Sequence, residues 1–200
     1  VIVRQAKPGE ERQVARESLA QFAEKAYRRP VAEKEVNRLL SFVDMVMADG
    51  GTLEEGMQMA TQAILVSPHF LFRWELDTRP VKDEPNRLLN DWELASRLSY
   101  FLWSSMPDAE LFRLAKRGEL IQPDVLAAQV RRMVADPRSR ALVENFAGQW
   151  LQTRNLEGVT PDPLIFPSFD DDLRTAMKRE TELFFEAVMK EDRSVVELID

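Results

Sequence analysis

One histidine and no cysteine limit the chemistry this chain could do. His69 stands in Ser67-Pro68-His69, so a triad with a histidine base would have to centre on it, yet no nucleophile elbow surrounds it. A carboxylate-bridged di-iron bundle needs paired Glu-x-x-His motifs, which one histidine cannot supply, and Val66 stands three residues before it where Glu would be needed. What is left for His69 is packing or capping at a kink. Its functional alternative is an axial ligand or proton acceptor toward a cofactor held by another part of a longer protein.

Glu182 and Glu186 share one helix face at four-residue spacing beside Phe185, with Lys178, Arg179 and Glu180 on the same helix. Paired carboxylates do acid–base work when burial drives their pKa values apart. The plain alternative is a solvated surface laced with intrahelical ion pairs. Arg97, flanked by Leu94, Leu98 and Phe101, is expected to tuck against a carboxylate such as Glu144 or Glu180 as a structural pair. His69, Arg97, Glu182 and Glu186 are therefore the catalytic candidates, and whether the chain is an enzyme stays open. Ile165 and Phe166 lie in an irregular stretch among Pro161, Pro163 and Pro167, either as a plug onto the core or as an exposed partner contact. No glycine-rich phosphate loop and no metal-ligand pattern is present, so no cofactor is expected in this chain.

Composition narrows the field further. The lack of cysteine removes disulfides, cysteine-ligated zinc, iron–sulfur clusters and covalent haem attachment from this stretch. A net charge of -7 and a pI near 5.0 argue against a general nucleic-acid binder. With 44% hydrophobic and 30% charged residues the chain should fold as a globular protein, and no apolar run is long enough for a transmembrane segment. The opening Val1-Ile2-Val3-Arg4 and the closing helix start at Ser194 predict a piece of something longer.

Positioning these residues falls to helices. Asn90 and Glu93 form a capping pattern ahead of a central core helix carrying Leu94, Ala95, Leu98, Phe101 and Leu102, with Trp92 and Trp103 at its ends. Before it, helices from about Glu10 to Tyr27 and Ala32 to Ala48 should pair as a hairpin; the first ends at Arg28-Arg29-Pro30, and the residue before proline is pushed out of the α region. Thr52 and Glu55 open a third helix through Met57, Ala60, Ile64 and Leu65, and Met45, Met47, Met57 and Met59 read as core fillers. After the central helix, Ser105 to Asp108 should cap a short helix with Pro107 in its first turn, ended by Gly118. Later helices place Phe146, Trp150, Leu173, Met177, Phe184 and Val188 inward. The predicted fold is all-α, a multi-helix orthogonal bundle with an amino-terminal hairpin subdomain (1–76) docked on a larger bundle (88–200) through a linker (77–87).

Two long motifs then resemble known families. Ala26-Tyr27-Arg28-Arg29-Pro30-Val31 and Ala63-Ile64-Leu65-Val66-Ser67-Pro68-His69-Phe70-Leu71-Phe72-Arg73 resemble domain of unknown function 1595. Leu94 to Asp108, Phe146-Ala147-Gly148-Gln149-Trp150-Leu151 and Arg179-Glu180-Thr181-Glu182-Leu183-Phe184-Phe185 are similar to domain of unknown function 1592. The resemblance implies a part of a large exported protein of planctomycetes and related bacteria, periplasmic or at the cell surface, with a cytochrome c-like domain elsewhere in the polypeptide. It implies a helical scaffold or interaction region whose partners are other domains of the same protein, with any haem outside this chain. The alternatives are a share in the active site of an extracytoplasmic oxidoreductase or hydrolase acting on complex substrates, and a plain protein–protein assembly module.

Overall fold

The computed structural model describes residues 4–7, 9–73, 75 and 88–198. The expected linker at 77–87 lies outside the described residues, as do Val1 to Val3, Pro8, Trp74, Leu76, Ile199 and Asp200. Every regular element among the described residues is helical, so the fold is all-α as predicted. Two compact units divide the chain, Val1–Ser96 and Arg97–Asp200, and the division falls within the helix Asp91–Trp103.

In the first unit α1 (Glu11–Tyr27), α2 (Glu33–Ala48) and α3 (Leu53–Leu65) bury one shared core. Leu19 and Ala23 of α1, Leu40 and Val43 of α2, and Ala60 and Ile64 of α3 are wholly buried within it, so α1 and α2 pair as expected and α3 completes a three-helix unit. Thr52 and Glu55 close a full capping box, with Glu55 Oε2 accepting from Thr52 N–H at 2.8 Å and Thr52 Oγ1 from Glu55 N–H at 3.2 Å. At the start of α2 only half of such a box exists, because Ala32 offers its N–H to Glu35 but has no side-chain oxygen to return. A Cβ on Gly56 would stand 3.0 Å from Val43 Cα, so the close approach of α2 and α3 rests on a glycine there. Met45, Met47, Met59 and Leu65 face solvent, and of the four expected methionine fillers only Met57 is buried.

Pro30 does not set the end of α1. The helix stops at Tyr27 because Arg28 takes a left-handed φ of 56°, two residues ahead of the proline. The bend expected at Ser67-Pro68 is α4 (Pro68–Leu71), with Pro68 in its first turn and Ser67 Oγ accepting from His69 N–H. Arg28 joins these two features. Its buried guanidinium donates from Nη1 to the Ala26 carbonyl at 2.9 Å and from Nη2 to the carbonyls of His69, Phe70 and Phe72 at 3.0, 3.2 and 3.0 Å.

The helix α5 (Asp91–Trp103) opens on the expected reciprocal pair, Asn90 N–H to Glu93 Oε2 and Glu93 N–H to Asn90 Oδ1, each at 3.0 Å. It buries Ala95, Ser99, Leu102 and Trp103, which recur every three to four residues; Phe101 falls off that stripe and is exposed, against expectation. Asp108, rather than Ser105, caps α6 (Ala109–Arg117), accepting from Leu111 N–H at 3.0 Å, so Pro107 precedes the helix instead of lying in its first turn. Gly118 ends α6 at a φ of 66°, as predicted.

Beyond α7 (Pro123–Ala135) the chain runs through α8 (Arg140–Leu142), a π-helical turn (Val143–Ala147) and α9 (Gly148–Trp150). A π-turn inserts a residue into the helical repeat and shifts the face presented from there on; Phe146 within it and Trp150 just beyond it are half-exposed rather than inward. On α10 (Asp171–Lys190) the buried stripe is Glu182, Phe185 and Val188; Leu173, Met177 and Phe184, expected inward, face out. The stripe includes a carboxylate, so a search for apolar spacing picked a neighbouring face.

Candidate functional site

The π-turn region, a 3-10 turn (Thr153–Gly158) and α10 enclose an open polar cavity of about 590 Å³ within the second unit. Arg140, Glu144, Arg154, Glu157, Thr175, Lys178, Arg179 and Glu182 line it. Most of its charges are matched in pairs. Arg140 Nε donates to Glu144 at 2.6 Å, Lys178 Nζ to Glu157 at 3.0 Å, and Arg179 Nη1 to the buried Glu182 at 3.3 Å. Arg174 fastens the 3-10 turn to α10, donating to the carbonyls of Leu156 and Val159.

Of the four catalytic candidates the cavity lining takes in Glu182 alone. Glu186, one turn on, accepts from Lys190 Nζ at 2.7 Å; that bond, assisted by the charges of Lys190, Arg179 and Arg140, outweighs burial and holds its carboxyl below the ordinary range. His69 sits in the first unit, its Nε2 3.9 Å from Glu35 Oε1 and its ring 5.4 Å from that of Tyr27. Glu35 is already gripped by both Nη atoms of Arg29, at 3.0 and 2.7 Å. Arg97 lies exposed on α5, and Glu144, one of the two carboxylates expected near it, pairs with Arg140. Of the cavity's cations, Lys178 and Arg179 were read on the same helix as Glu182, while Arg140 and Arg154 were not singled out as site residues. Arg140 and Glu144 carried a four-residue spacing that could have flagged them, whereas Arg154 sits in an aperiodic stretch with no signal.

A second charged cluster surrounds Trp103. Asp108 accepts from Arg132 at 2.7 and 3.2 Å while capping α6, and Arg138, held by both oxygens of Asp136, lies with its Cζ 3.5 Å from the centre of the Trp103 ring. The hydrogen bonds from Arg138, side chain first and then backbone, bring the Asp136 carboxyl from the ordinary 3.8 down to about 2. Burial pushes the Asp108 carboxyl up, but the Arg132 bond, the Leu111 N–H and the charges of Arg132 and Arg138 together leave it lowered. Carboxyls with lowered folded-state values stabilise the fold above their unfolded values and lose that contribution as pH falls through the folded ones. For Asp136 this window runs from about 4 down to about 2. Urea midpoints taken between pH 5 and 2 should fall more steeply for the native chain than for Asp136→Asn, by about 1 kcal/mol after allowance for solvent screening. Equal pH slopes for the two chains would show that the pair contributes nothing.

No described helix is long and apolar enough to cross a membrane. Among the described residues no group of three or more His, Cys, Asp or Glu is placed to hold a metal ion. The sequence model described as protein of unknown function (DUF1592) matches residues 89–200, more than half of the chain. The chain belongs to the DUF1592 family. A second model, protein of unknown function (DUF1595), matches residues 14–75, so the two succeed each other in the expected order. No curated protein and no solved structure matches the chain. The DUF1592 segment takes in the cavity, the Trp103 cluster and the Ile165-Phe166 loop, while Arg28 and His69 fall in the DUF1595 segment.

Proposed function

We propose that this DUF1592 chain is the helical scaffold and interaction region of a larger exported protein, and that redox chemistry in that protein belongs to a cytochrome c-like domain outside this chain. The observation that carries the interaction reading is a rigid apolar loop. Leu164, Ile165 and Phe166 are 91%, 68% and 56% exposed. Their backbone is nonetheless fixed: the N–H groups of Ile165 and Phe166 donate to the Asp162 carbonyl at 3.0 and 2.9 Å, and that of Leu164 to Asp162 Oδ1 at 2.9 Å. Apolar side chains already held outward lose little entropy when a partner covers them, which supports reading the loop as a contact rather than a plug.

Export, planctomycete-type origin and the cytochrome link draw their support from the sequence resemblance. So does the division into residues 1–76 and 88–200 joined by 77–87. A share in the active site of an extracytoplasmic oxidoreductase or hydrolase is the second reading, favoured by one observation, the burial of Glu182 on the wall of a polar cavity.

The first reading is tested by titrating this chain with the cytochrome c-like domain of its own polypeptide, produced separately. Saturable binding is expected, and Ile165→Ser with Phe166→Ser should weaken it at least about tenfold, the loss of a central apolar anchor. Thermal unfolding should not change, because both side chains lie outside the core. Binding that is absent, or indifferent to the double substitution, would sink the loop as the contact.

A further inference from the structure

We infer that the cavity beside the π-turn binds a small hydroxylated molecule carrying a single oxyanion group, with Arg154 as the charge anchor. Four cations and three carboxylates line the cavity, and the three ion pairs use all the carboxylates, leaving Arg154 without a carboxylate partner among the described residues. Its Nη2 is tied down instead by uncharged oxygens, the Asn145 carbonyl at 3.1 Å, Asn145 Oδ1 at 3.0 Å and, at the limit of a hydrogen bond, the Glu144 carbonyl at 3.4 Å. Nε and Nη1 take no partner among the described residues. The guanidinium is thus oriented by the π-turn while its charge and its remaining donors stay available. Planar guanidinium donors match carboxylate and sulfate oxygens.

The other walls narrow the ligand. A volume of about 590 Å³ suits a small molecule rather than a polymer surface. Glu144, Glu157 and Glu182 would repel a multiply charged anion but can accept hydrogen bonds from hydroxyls, so a single anionic group on a polyol fits the charge pattern. The site therefore adds a small-molecule specificity to a chain otherwise read as an interaction region, and it does not depend on that reading.

Calorimetric titration of the whole chain at low ionic strength tests it, with glucuronate and glucose 6-sulfate as probes and glucose and sodium chloride as controls. At least one probe should bind saturably and about tenfold or more tighter than glucose, the effect of one charge-assisted contact. The probe that binds more tightly identifies carboxylate or sulfate as the group recognised. Arg154→Gln should reduce that binding about tenfold. Because Arg154 also braces the π-turn, Thr175→Glu provides an independent check: it adds a carboxylate to the lining without removing those bonds, and should weaken binding by a similar factor. Arg117→Gln, outside the cavity, should leave it unchanged. No saturable binding, equal binding of glucose, or binding that survives both cavity substitutions would overturn the assignment.

Discussion

Replacing Arg28 by alanine is expected to destabilise the first unit by about 3 kcal/mol, since hydrogen bonds to charged donors each contribute roughly 1.5–3 kcal/mol and the exposed carbonyls recover part of that in water. The side chain is 7% exposed and serves four backbone carbonyls, one on α1 and three at the end of α4. A cation at the carboxyl end of a helix also faces the negative end of its dipole. Lysine, with a compact ammonium on a flexible stem, cannot span the same oxygens, so Arg28→Lys should still lose about 2 kcal/mol. Arg28→Gly should lose about 1 kcal/mol less than Arg28→Ala, because a φ of 56° is strained for every residue with a Cβ. Urea denaturation ranks the three variants, and hydrogen exchange should place the lost protection in α4 and the last turn of α1. An alanine variant within about 0.5 kcal/mol of the native chain, the scatter of an ordinary surface change, would show that the clamp is ornamental.

Trp103→Ala should cost the second unit about 4 kcal/mol, the usual consequence of emptying a large buried aromatic site. The indole is 3% exposed, donates from Nε1 to the Met133 carbonyl at 2.9 Å, and carries the Arg138 guanidinium on its face. Trp103→Phe keeps most of the volume and part of the cation–π contact but orphans the Met133 carbonyl, so about 2 kcal/mol should go. Arg138→Ala should cost less than either, about 1 kcal/mol, because its own surroundings are open to solvent. Melting curves of the three chains would check the order, and a phenylalanine variant as stable as the native chain would remove the Met133 bond from the account.

Some of this was plain in the residue order. Asn90 with Glu93 and Thr52 with Glu55 are caps whose partners lie three residues apart, and each is made as the spacing predicts. The all-α class comes from the same short-range pattern. The loop at Ile165 and Phe166 was also visible, since a proline on each side keeps a segment from joining a helix; whether it plugs the core or faces out was not.

Residue order alone therefore settles the set of helices, most of their ends and the shortage of histidine and cysteine chemistry, all properties fixed within a few consecutive residues. Packing in three dimensions chose the rest: the π-turn and the exposure of Phe146 and Trp150, the carboxylate stripe on α10, the reach of Arg28 across to Phe72, the Asp108–Arg132 pair, and the gathering of Arg154 with Glu182 around one cavity. These contacts join residues that one or two turns of helix cannot bring together, and the neighbours a helix meets, not its local backbone preference, select the face it buries.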